Sequence, residues 1–308
     1  MMAGRLTFKA TLAQVSVPAT SANLGPGFDS LGLALDIRDR YAAQILDDQI
    51  FDIDVTGEGA DSIKRDKNNL IIKSMMAAFE FMGQKPRGIA LRQLNNIPQG
   101  RGLGSSAAAI VGGLALARHL VLGGEHMLSH EDLVKLGTEL EGHPDNIAAA
   151  VYGGATVAWM EDIHGVSTGR AINIEVDSRI QALLFIPENH LSTTKARKLL
   201  PETVPFADAA LNASRSALLV HALASRPDLL FTATEDLLHQ SYRAEAMPKS
   251  IELLRKLRAA GVAAVVSGAG PSVLVLHTEG ENEVEEMIKV AGSTFTAQKV
   301  ALSTTGVD

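Results

Sequence analysis

The sequence predicts an α+β protein built from two domains. At 308 residues the chain exceeds the usual size of one domain, so two domains that share a cleft are the expected arrangement. Hydrophobic residues make up 46% of the chain but aromatic residues only 4%, so Ala, Val, Ile and Leu must build the core. Strand-like alternation dominates the first stretch, and helical spacing mixed with short strands dominates the second half. We place the boundary near residue 170, which divides the chain into 1–170 and 171–308.

The first half begins with alternating segments. Residues 7–17 and 50–55 alternate apolar and polar side chains, with β-branched residues among them, which predicts strands. Residues 31–46 are predicted to form a further strand that is interrupted by a turn. The segment 18–29, PATSANLGPGFD, is too dense in Pro, Gly and small polar residues for a regular element. We predict a long, shaped loop there.

A helix, a strand, a loop and a helix follow in that order. Residues 69–82 carry apolar side chains at helical spacing, and 87–94 are predicted as a strand. The helix predicted over 105–121 has almost no polar face along most of its length, so most of its sides should be buried. A further helix over 130–141 follows Ser129, a suitable N-cap.

Polar residues cluster where that helix ends, at 142–146, and a strand is predicted over 154–159. The polar segment 161–170 is hairpin-like and carries the domain boundary. The second half is predicted to contain a strand (181–186), helices near 193–199, 206–225 and 248–260, short strands (262–266 and 272–277), a helix (281–291) and a last strand. Helices packed on one face of a small antiparallel sheet would fit this order.

Charge and composition exclude several classes of protein. A net charge of −7 argues against a general nucleic-acid binder, which needs a basic face. The absence of cysteine excludes disulfides, thiolate metal sites and a cysteine nucleophile. Residues 1–14 contain no secretory-type apolar segment, and the apolar run 107–117 is too short to span a bilayer. We therefore expect a soluble protein with no membrane or nucleic-acid partner and the cytoplasm as its default location.

The most informative segment is a glycine-alternating loop that leads into an apolar helix. Glycines at every second position allow positive φ and a close approach of the backbone to a ligand, and the helix presents free N–H groups and its positive dipole end. This pattern predicts a phosphate site formed by Pro98, Gln99, Gly100, Arg101, Gly102, Leu103, Gly104, Ser105, Ser106, Ala107 and Ala108. The alternative is a tight connection that only lets a small-residue helix pack closely. The loop has no lysine for a Walker A motif and lacks the GxGxxG spacing of a dinucleotide turn.

A second glycine cluster, Ser267–Ser272, is by itself typical of a hairpin turn. Together with the loop 18–29 and the glycine-alternating loop, it resembles the three motifs of the GHMP kinase superfamily. The segments VPATSANLGPGFDSLGLAL (17–35) and EGHPDN (141–146) are similar to homoserine kinases within it. The resemblance implies a GHMP kinase fold with an N-terminal ATP-binding domain like domain 2 of ribosomal protein S5 and a C-terminal ferredoxin-like domain. It also implies ATP-dependent phosphorylation of L-homoserine to O-phospho-L-homoserine on the route to threonine, and it suggests a homodimer.

The same resemblance assigns substrate contacts. Homoserine is a small zwitterion with a terminal hydroxyl, so a site for it needs an anion receptor and an ammonium acceptor. Asp29 suits the ammonium group, and Arg197 and Arg243 resemble a carboxylate clamp. The other matched contacts are Asn23, His143, Thr193, Gly268 and Gly270. The alternatives are loop capping for Asn23 and Asp29 and solvated surface positions for the two arginines.

The catalytic residues are also implied by resemblance. Mg²⁺ would be held by Glu141 and Ser106, with Glu139 as the competing glutamate, although both glutamates also fit surface charges at a helix end. Asn146 resembles the residue that faces the acceptor hydroxyl, and an amide cannot act as a general base near neutral pH. Related mevalonate-type kinases use an aspartate in this region, and Asp145 is adjacent. Our hypothesis is that no strong base is used, and that Mg²⁺ and the loop dipoles stabilise the transferring group.

Several alternatives stay open. Asn69 resembles a residue near the adenine of ATP but fits a helix N-cap equally well. A mevalonate-type kinase also binds a carboxylic acid, but it has no use for Asp29 as an ammonium contact. A catalytically silent ligand-sensing member of the superfamily would tend to lose the metal ligand or the serines, which this chain keeps. An acyl-transfer role for Ser105 would need a GxSxG turn, which GLGSS lacks.

Overall fold

The computed structural model describes residues 6–308 and contains two β-sheets, each packed against helices. The first five residues of the amino-terminal segment considered above lie outside the described part. The strands of the first sheet are β1 (Ala13–Ala22), β2 (Leu31–Leu46), β3 (Phe51–Gly57), β4 (Gly88–Asn95), β5 (Ala155–Ile163) and β6 (Val166–Ile174). They lie in the order β3-β4-β2-β5-β6, and β1 pairs with β2. Only β3 and β4 are parallel neighbours.

The helices of the first half are α1 (Leu70–Phe81), α2 (Ser105–Leu120), α3 (Gly124–Met127), α4 (His130–Glu141) and α5 (Asp145–Tyr152). The central one is α2, in which every residue from 107 to 117 except Ala109 is buried, as predicted. Its glycines allow close packing: a Cβ on Gly112 would lie 2.4 Å from Cδ2 of Tyr41, and one on Gly113 would lie 2.6 Å from the carbonyl oxygen of Ile71. This packing holds the N-terminal end of α2 in place.

The second half contains a four-stranded antiparallel sheet. Its elements are β7 (Gln181–Pro187), α6 (Thr193–Arg197), α7 (Phe206–Ser225), α8 (Leu230–Ala233), α9 (Pro248–Ala259), β8 (Ala264–Val266), β9 (Val273–His277), α10 (Glu281–Ala291) and β10 (Phe295–Val300). The strand order is β10-β7-β9-β8. Helices lie between β7 and β8 and between β9 and β10, which is the βαββαβ arrangement of ferredoxin-like domains. The predicted α+β class and the ferredoxin-like second domain are confirmed.

The two faces of this small sheet belong to different parts of the core. Leu183 and Phe185 on β7 cluster with apolar residues of α9 and α10. The alternate residues Ala182 and Leu184 belong to the large cluster that includes the N-terminal core. Because successive strand residues point to opposite faces, β7 is buried on both sides. One face of the small sheet therefore shares a core with the first sheet, and the other face packs a separate core against α9 and α10.

The predicted strand from residue 7 and the predicted loop from residue 18 are wrong at their boundaries. β1 begins at Ala13 and continues to Ala22, because its pairing with β2 extends to the partners Ala22 and Gly32. The turn predicted within 31–46 is also wrong. Instead, β2 carries a bulge where the pairing shifts from Pro18–Arg38 to Ala19–Leu35. The bulge interrupts the ladder locally and bends the strand, and pairing with β1 continues on both sides of it.

Three elements of the first half, α3, α5 and β6, are absent from the sequence predictions. α5 begins at Asp145, directly after Pro144, inside a segment whose polarity is typical of a loop. β6 pairs with β5 around a turn at 164–165, which agrees with the hairpin predicted over 161–170. Residue 170 lies inside β6, so we propose that the domain boundary lies in the linker 175–180. Within residues 6–308, no helix combines the length and the apolarity needed to cross a membrane.

The C-terminal tail, residues 301–308, returns to the N-terminal domain. Its amide and carbonyl groups bond to β2 and α5, and Val307 is buried in the N-terminal core. Arg38 on β2 holds the tail in place: its guanidinium donates to Ser303 Oγ at 3.0 Å and to the carbonyl oxygen of Gly306 at 2.7 Å. It also donates to Ser16 Oγ on β1 at 2.6 Å. One side chain thus joins the tail to two strands.

We expect Arg38→Met to lower the free energy of unfolding by about 2–3 kcal/mol, because hydrogen bonds to a charged group are lost and buried acceptors are left unpaired. Urea denaturation checks this value. The control is Arg92→Met, whose half-exposed side chain pairs with Asp52 and should cost at most about 1 kcal/mol. Equal losses in the two variants would contradict the role of Arg38.

Candidate active site

The glycine-alternating loop connects β4 to α2 and has the predicted left-handed backbone. Gly100, Gly102 and Gly104 have φ values of 64°, 73° and 69°. Gly104 is the N-cap of α2, and a Cβ there would lie 1.8 Å from Oγ1 of Thr20. Only glycine therefore fits this position. The N-terminus of α2 borders a cavity of about 230 Å³, where its first N–H groups have no partner within the helix.

The second glycine cluster connects β8 to β9 as the predicted hairpin turn, and it also contacts the first loop. Ser267 Oγ donates to the carbonyl oxygen of Gly102 at 2.7 Å. A Cβ on Gly102 would lie 2.1 Å from the carbonyl oxygen of Ser267. Gly268 lines the cavity, whereas Gly270 packs against Met247 instead. The two loops meet backbone to backbone, which explains the need for glycine at the contact.

The third motif, the loop that follows β1, is joined to the same place by Asn23. The Asn23 amide nitrogen donates to the carbonyl oxygen of Gly268 at 2.8 Å, and its Oδ1 accepts from the backbone N–H of Asp29 at 3.0 Å. Asn23 itself has a φ of 67°. The loop capping considered from the sequence is therefore present. Three segments far apart in the sequence converge on one cavity.

Asp29 and Arg197 form a bidentate ion pair. Two nitrogens of the Arg197 guanidinium lie 3.0 Å and 2.5 Å from the two carboxylate oxygens of Asp29. The hydrogen bond to Asp29 raises the pKa of Arg197, against the opposing effect of burial. Arg197 lines the cavity, and Thr193, one turn earlier on α6, lines it too. The residues predicted for the ammonium and carboxylate groups are thus bound to each other.

Arg243 is buried, with 1% of its surface exposed, although it lines the same cavity. Its Nη1 contacts Nδ1 of His239 at 3.0 Å and donates to the carbonyl oxygen of Gly268 at 3.3 Å. Burial, followed by the nearby charge of Arg197, lowers the pKa of Arg243 to about 10. The ring of Phe28 lies 5.5 Å from the guanidinium carbon of Arg197 and 5.6 Å from that of Arg243. Neither arginine is a free surface residue.

The opposite wall of the cavity comes from the ends of α2 and α4 and the start of α5. Ser106 Oγ donates to Oε1 of Glu141 at 2.6 Å. Both residues line the cavity, whereas Glu139 is exposed and does not. Asn146 lies in the first turn of α5, and its Oδ1 accepts from Thr20 Oγ1 at 2.7 Å. Because it orients Asn146, Thr20 is a site residue absent from the sequence predictions.

Asp145 also lines the cavity, although only 1% of its surface is exposed, and one of its carboxylate oxygens is engaged by neighbouring residues. One of its oxygens, Oδ1, lies 2.8 Å from Nδ1 of His143 and accepts the Asn146 N–H at 2.7 Å. Burial alone would lower the pKa of His143, but the hydrogen bond and the charge of Asp145 outweigh it, and that pKa is raised. His143 also lines the cavity.

Other predicted phosphate-loop residues lie outside the first cavity. Arg101 turns away and donates to the carbonyl oxygens of Pro187 and Glu188 at the end of β7. Pro98, Gln99, Ala107, Ala108 and Asn69 are likewise absent from its lining. Asn69 caps α1 by accepting from the N–H of Ile71 at 2.9 Å. Asn69 is therefore the N-cap of α1, one of the two roles considered from the sequence.

Asn69 and Gln99 line a second cavity of about 210 Å³, which shares Ser105 and Ser106 with the first. The buried Gln93 also lines it, and Nε2 of Gln93 has no hydrogen-bond partner among the described residues. The start of α2 thus lies between two cavities, one on the side of the arginines and one on the side of α1.

The oxygen donors at the start of α2 fit a hard cation. Ser106 and Glu141 present a hydroxyl and a carboxylate oxygen to the same point. Among the described residues, no group of three or more His, Asp or Glu side chains is arranged to hold a metal ion. A protein site with one carboxylate suits Mg²⁺ that completes its coordination with phosphate oxygens and water.

Comparisons with known proteins agree with this architecture. The models for the GHMP kinases N terminal domain and the GHMP kinases C terminal domain match residues 69–154 and 214–294. The homoserine kinase of Streptomyces avermitilis is 47% identical over 299 residues, which cover 97% of this chain and 96% of the relative. The homoserine kinase of Mycobacterium leprae is 46% identical over 271 residues, 88% of this chain and 86% of the relative.

Solved structures share the fold over the whole chain. Homoserine kinase from Cytophaga hutchinsonii aligns with a TM-score of 0.82 at 24% identity and covers 99% of both chains. L. major mevalonate kinase in complex with R-mevalonate aligns with a TM-score of 0.67 at 13% identity, over 97% of this chain and 98% of the other. These two likenesses concern the fold alone. From the sequence identity over nearly its full length and from both domain models, the chain belongs to the homoserine kinase family of the GHMP kinases.

Proposed function

We propose that the protein transfers the γ-phosphoryl group of ATP to the hydroxyl of L-homoserine, giving O-phospho-L-homoserine and ADP. The observation that carries this proposal is the convergence of three loops on one small cavity with phosphate-binding and carboxylate-binding groups on opposite sides. The start of α2 and the pair Ser106–Glu141 form one side, and Arg197 and Arg243 form the other. A short amino acid with a terminal hydroxyl would contact both groups, because they line the same small cavity.

The phosphates of ATP would bind at the start of α2. The free N–H groups and the positive dipole end attract an anion, and the left-handed glycines leave the backbone open to it. Glu141 and Ser106 would hold Mg²⁺, which neutralises charge on the phosphates when bound. The second cavity adjoins these serines, so we place the adenosine there, beside Asn69 and Gln93.

The amino-acid substrate would bind by exchanging partners with an existing ion pair. Asp29 and Arg197 are half-exposed and satisfy each other without a ligand. A zwitterion can replace both halves at once: its ammonium binds Asp29 while its carboxylate binds Arg197 and Arg243. Because the charges remain paired throughout, no isolated charge has to be desolvated. Mevalonate carries no ammonium group and would leave Asp29 without its partner.

The acceptor hydroxyl would be oriented by Asn146 without a strong general base. The Asn146 amide is held at both ends: Nδ2 donates to Oδ1 of Asp145 at 3.5 Å, a carboxylate oxygen that can only accept, and Oδ1 accepts from Thr20 Oγ1 at 2.7 Å. Asp145 is the nearest carboxylate in sequence, but it is buried and bonded to His143 and Asn146. Positioning and charge neutralisation can supply most of the barrier reduction in phosphoryl transfer.

Asp145→Asn tests this hypothesis. We expect kcat to fall less than about tenfold, because positioning is retained and general-base catalysis would contribute roughly 10²–10⁴-fold. The titration midpoint of His143, followed by NMR, should fall from above 6.5 to below it, because burial then dominates. A loss of several orders of magnitude in a folded variant that still binds ATP would show that Asp145 is the base.

The pair formed by His143 and Asp145 makes the stability of the fold depend on pH. The folded pKa of His143 lies above its ordinary value of 6.5. The His143–Asp145 pair therefore stabilises the fold below that pH, and its contribution is lost as the pH rises through the raised pKa.

The function is tested by ADP release with L-homoserine, with mevalonate and with no acceptor, each with and without Mg²⁺. We expect stimulation by homoserine only, and only with Mg²⁺. No stimulation above the no-acceptor control would overturn the proposal, and stimulation by mevalonate would support the mevalonate-type alternative. ATP binding without turnover would support a ligand sensor. The homodimer and the cytoplasmic location stay predictions.

A further inference from the structure

We propose that His239 is a positioning residue: its neutral ring holds one corner of the Arg243 guanidinium and reserves the opposite edge for the substrate carboxylate. This inference rests on the proposed function, in which Arg243 binds that carboxylate. His239 lies between α8 and α9, and none of its surface is exposed. It lines neither cavity, so it acts on the substrate region through Arg243.

The hydrogen bonds of His239 determine its tautomer. Nε2 lies 2.8 Å from the carbonyl oxygen of Gly25, and a carbonyl can only accept, so Nε2 carries the hydrogen. Nδ1 lies 3.0 Å from Nη1 of Arg243, and a guanidinium can only donate, so Nδ1 presents its lone pair. Both contacts are satisfied only by the neutral Nε2–H form. The ring of His239 thus connects Gly25, in the loop that follows β1, to Arg243.

The surroundings of His239 favour this neutral form. Burial is the largest effect on the pKa of His239 and lowers it, and the charge of Arg243 acts in the same direction. Three neighbours oppose the shift: Asp236, whose Oδ1 lies 3.7 Å from Nε2, the carbonyl oxygen of Gly25 and Asp29. Asp236 is itself engaged, since its carboxylate accepts the backbone N–H groups of Leu238, His239 and Gln240. Protonated His239 would direct an N–H at a guanidinium.

The partners of Arg243 are confined to one nitrogen. Nη1 contacts His239 and the carbonyl oxygen of Gly268. Nε is buried and has no partner within residues 6–308, and the hydrogen bonds of the Arg243 side chain there come from Nη1 alone. The edge formed by Nε and Nη2 therefore has no protein partner among these residues, and two parallel N–H donors on one edge match a carboxylate. Without the acceptor at Nδ1, the guanidinium could rotate and lose this alignment.

Two substitutions of His239 separate its two contacts. His239→Asn keeps an oxygen near the position of Nδ1 but removes the donor to Gly25. His239→Gln keeps a donor near the position of Nε2 but removes the acceptor for Arg243. We expect His239→Gln to raise KM for homoserine about 10- to 100-fold, as expected for the loss of one charge-assisted hydrogen bond. Its kcat and its KM for ATP should change less than about threefold.

His239→Asn should keep KM for homoserine within about threefold of the wild type, because the acceptor for Arg243 remains. Thermal unfolding of both variants shows how far each contact supports the fold. A purely structural role predicts that both kinetic constants follow the loss of stability. Equal KM values in the two variants, or an unchanged KM in His239→Gln, would overturn the inference alone. Absence of homoserine-stimulated ADP release in the wild type would overturn the proposed function, and the inference with it.

Discussion

Replacing Glu141 by glutamine is expected to lower kcat by roughly 10²–10³-fold, the usual cost of removing one preorganised group that stabilises transition-state charge. The carboxylate oxygen of Glu141 lies 2.6 Å from Ser106 Oγ at the start of α2. Glutamine keeps the size and one oxygen but removes the charge that would hold Mg²⁺. ADP release measured against Mg²⁺ concentration should show both a lower maximum and a higher Mg²⁺ requirement.

The matched control is Glu139→Gln, on the same helix one half-turn earlier. Glu139 is exposed and outside the cavity, so its replacement should leave kcat and the Mg²⁺ requirement unchanged. Comparison of the two variants decides which glutamate binds Mg²⁺, a question that the sequence alone does not answer. A loss in Glu139→Gln together with a normal Glu141→Gln enzyme would reverse our assignment.

Arg243→Leu is expected to raise KM for homoserine by about 10²–10³-fold, because truncating one partner of a buried charge pair typically costs 2–5 kcal/mol of binding. KM for ATP should remain within a few fold of the wild type, since Arg243 lies on the opposite side of the cavity from α2. Arg243→Lys should recover part of the loss, because lysine keeps the charge but not the planar fork. Steady-state kinetics with each substrate varied in turn gives all three values.

Arg258→Leu controls for the removal of a partly buried arginine from the same domain. Arg258 donates to the backbone oxygens of Ala264 and Phe231 and does not line either cavity. Its loss should lower stability without changing KM for homoserine. If Arg258→Leu raised that KM as much as Arg243→Leu, the effect would reflect general loosening of the domain and not substrate binding.

Much of the fold follows from local patterns in the sequence. Four helices, α1, α2, α4 and α7, lie within one or two residues of their predicted ranges. The apolar spacing in α1, α4 and α7 is typical of a helix, and α2 was predicted from its long stretch without a polar face. Ser129 is the N-cap of α4, as predicted, and it also forms a capping box with Asp132. Local composition failed at the loop 18–29, where pairing with β2 continues β1 to Ala22 despite Pro18. Long-range pairing outweighed local propensity there.

The contacts within the site were harder to predict from the sequence than the fold. The motifs identify Asn23, Ser106 and Arg243, and the structure brings all three to one cavity. The sequence could not show that Asp29 and Arg197 pair with each other, since they lie 168 positions apart. Nor could it show Thr20, because only the fold brings Thr20 close to Asn146, the residue that it orients. His239 lies four positions before Arg243, but the segment between them is not a regular helix, so the spacing alone does not predict their contact. Thr20 does lie within the PATSAN segment, which was the only available signal.

The C-terminal tail has a consequence for the order in which the chain can fold. The ribosome synthesises the residues of the N-terminal sheet first, and domains usually fold from the N-terminal one onward during synthesis. Here the first domain lacks part of its core until Val307 has been made, after the whole ferredoxin-like domain. The core of the N-terminal domain can therefore be completed only after the ferredoxin-like domain has been synthesised.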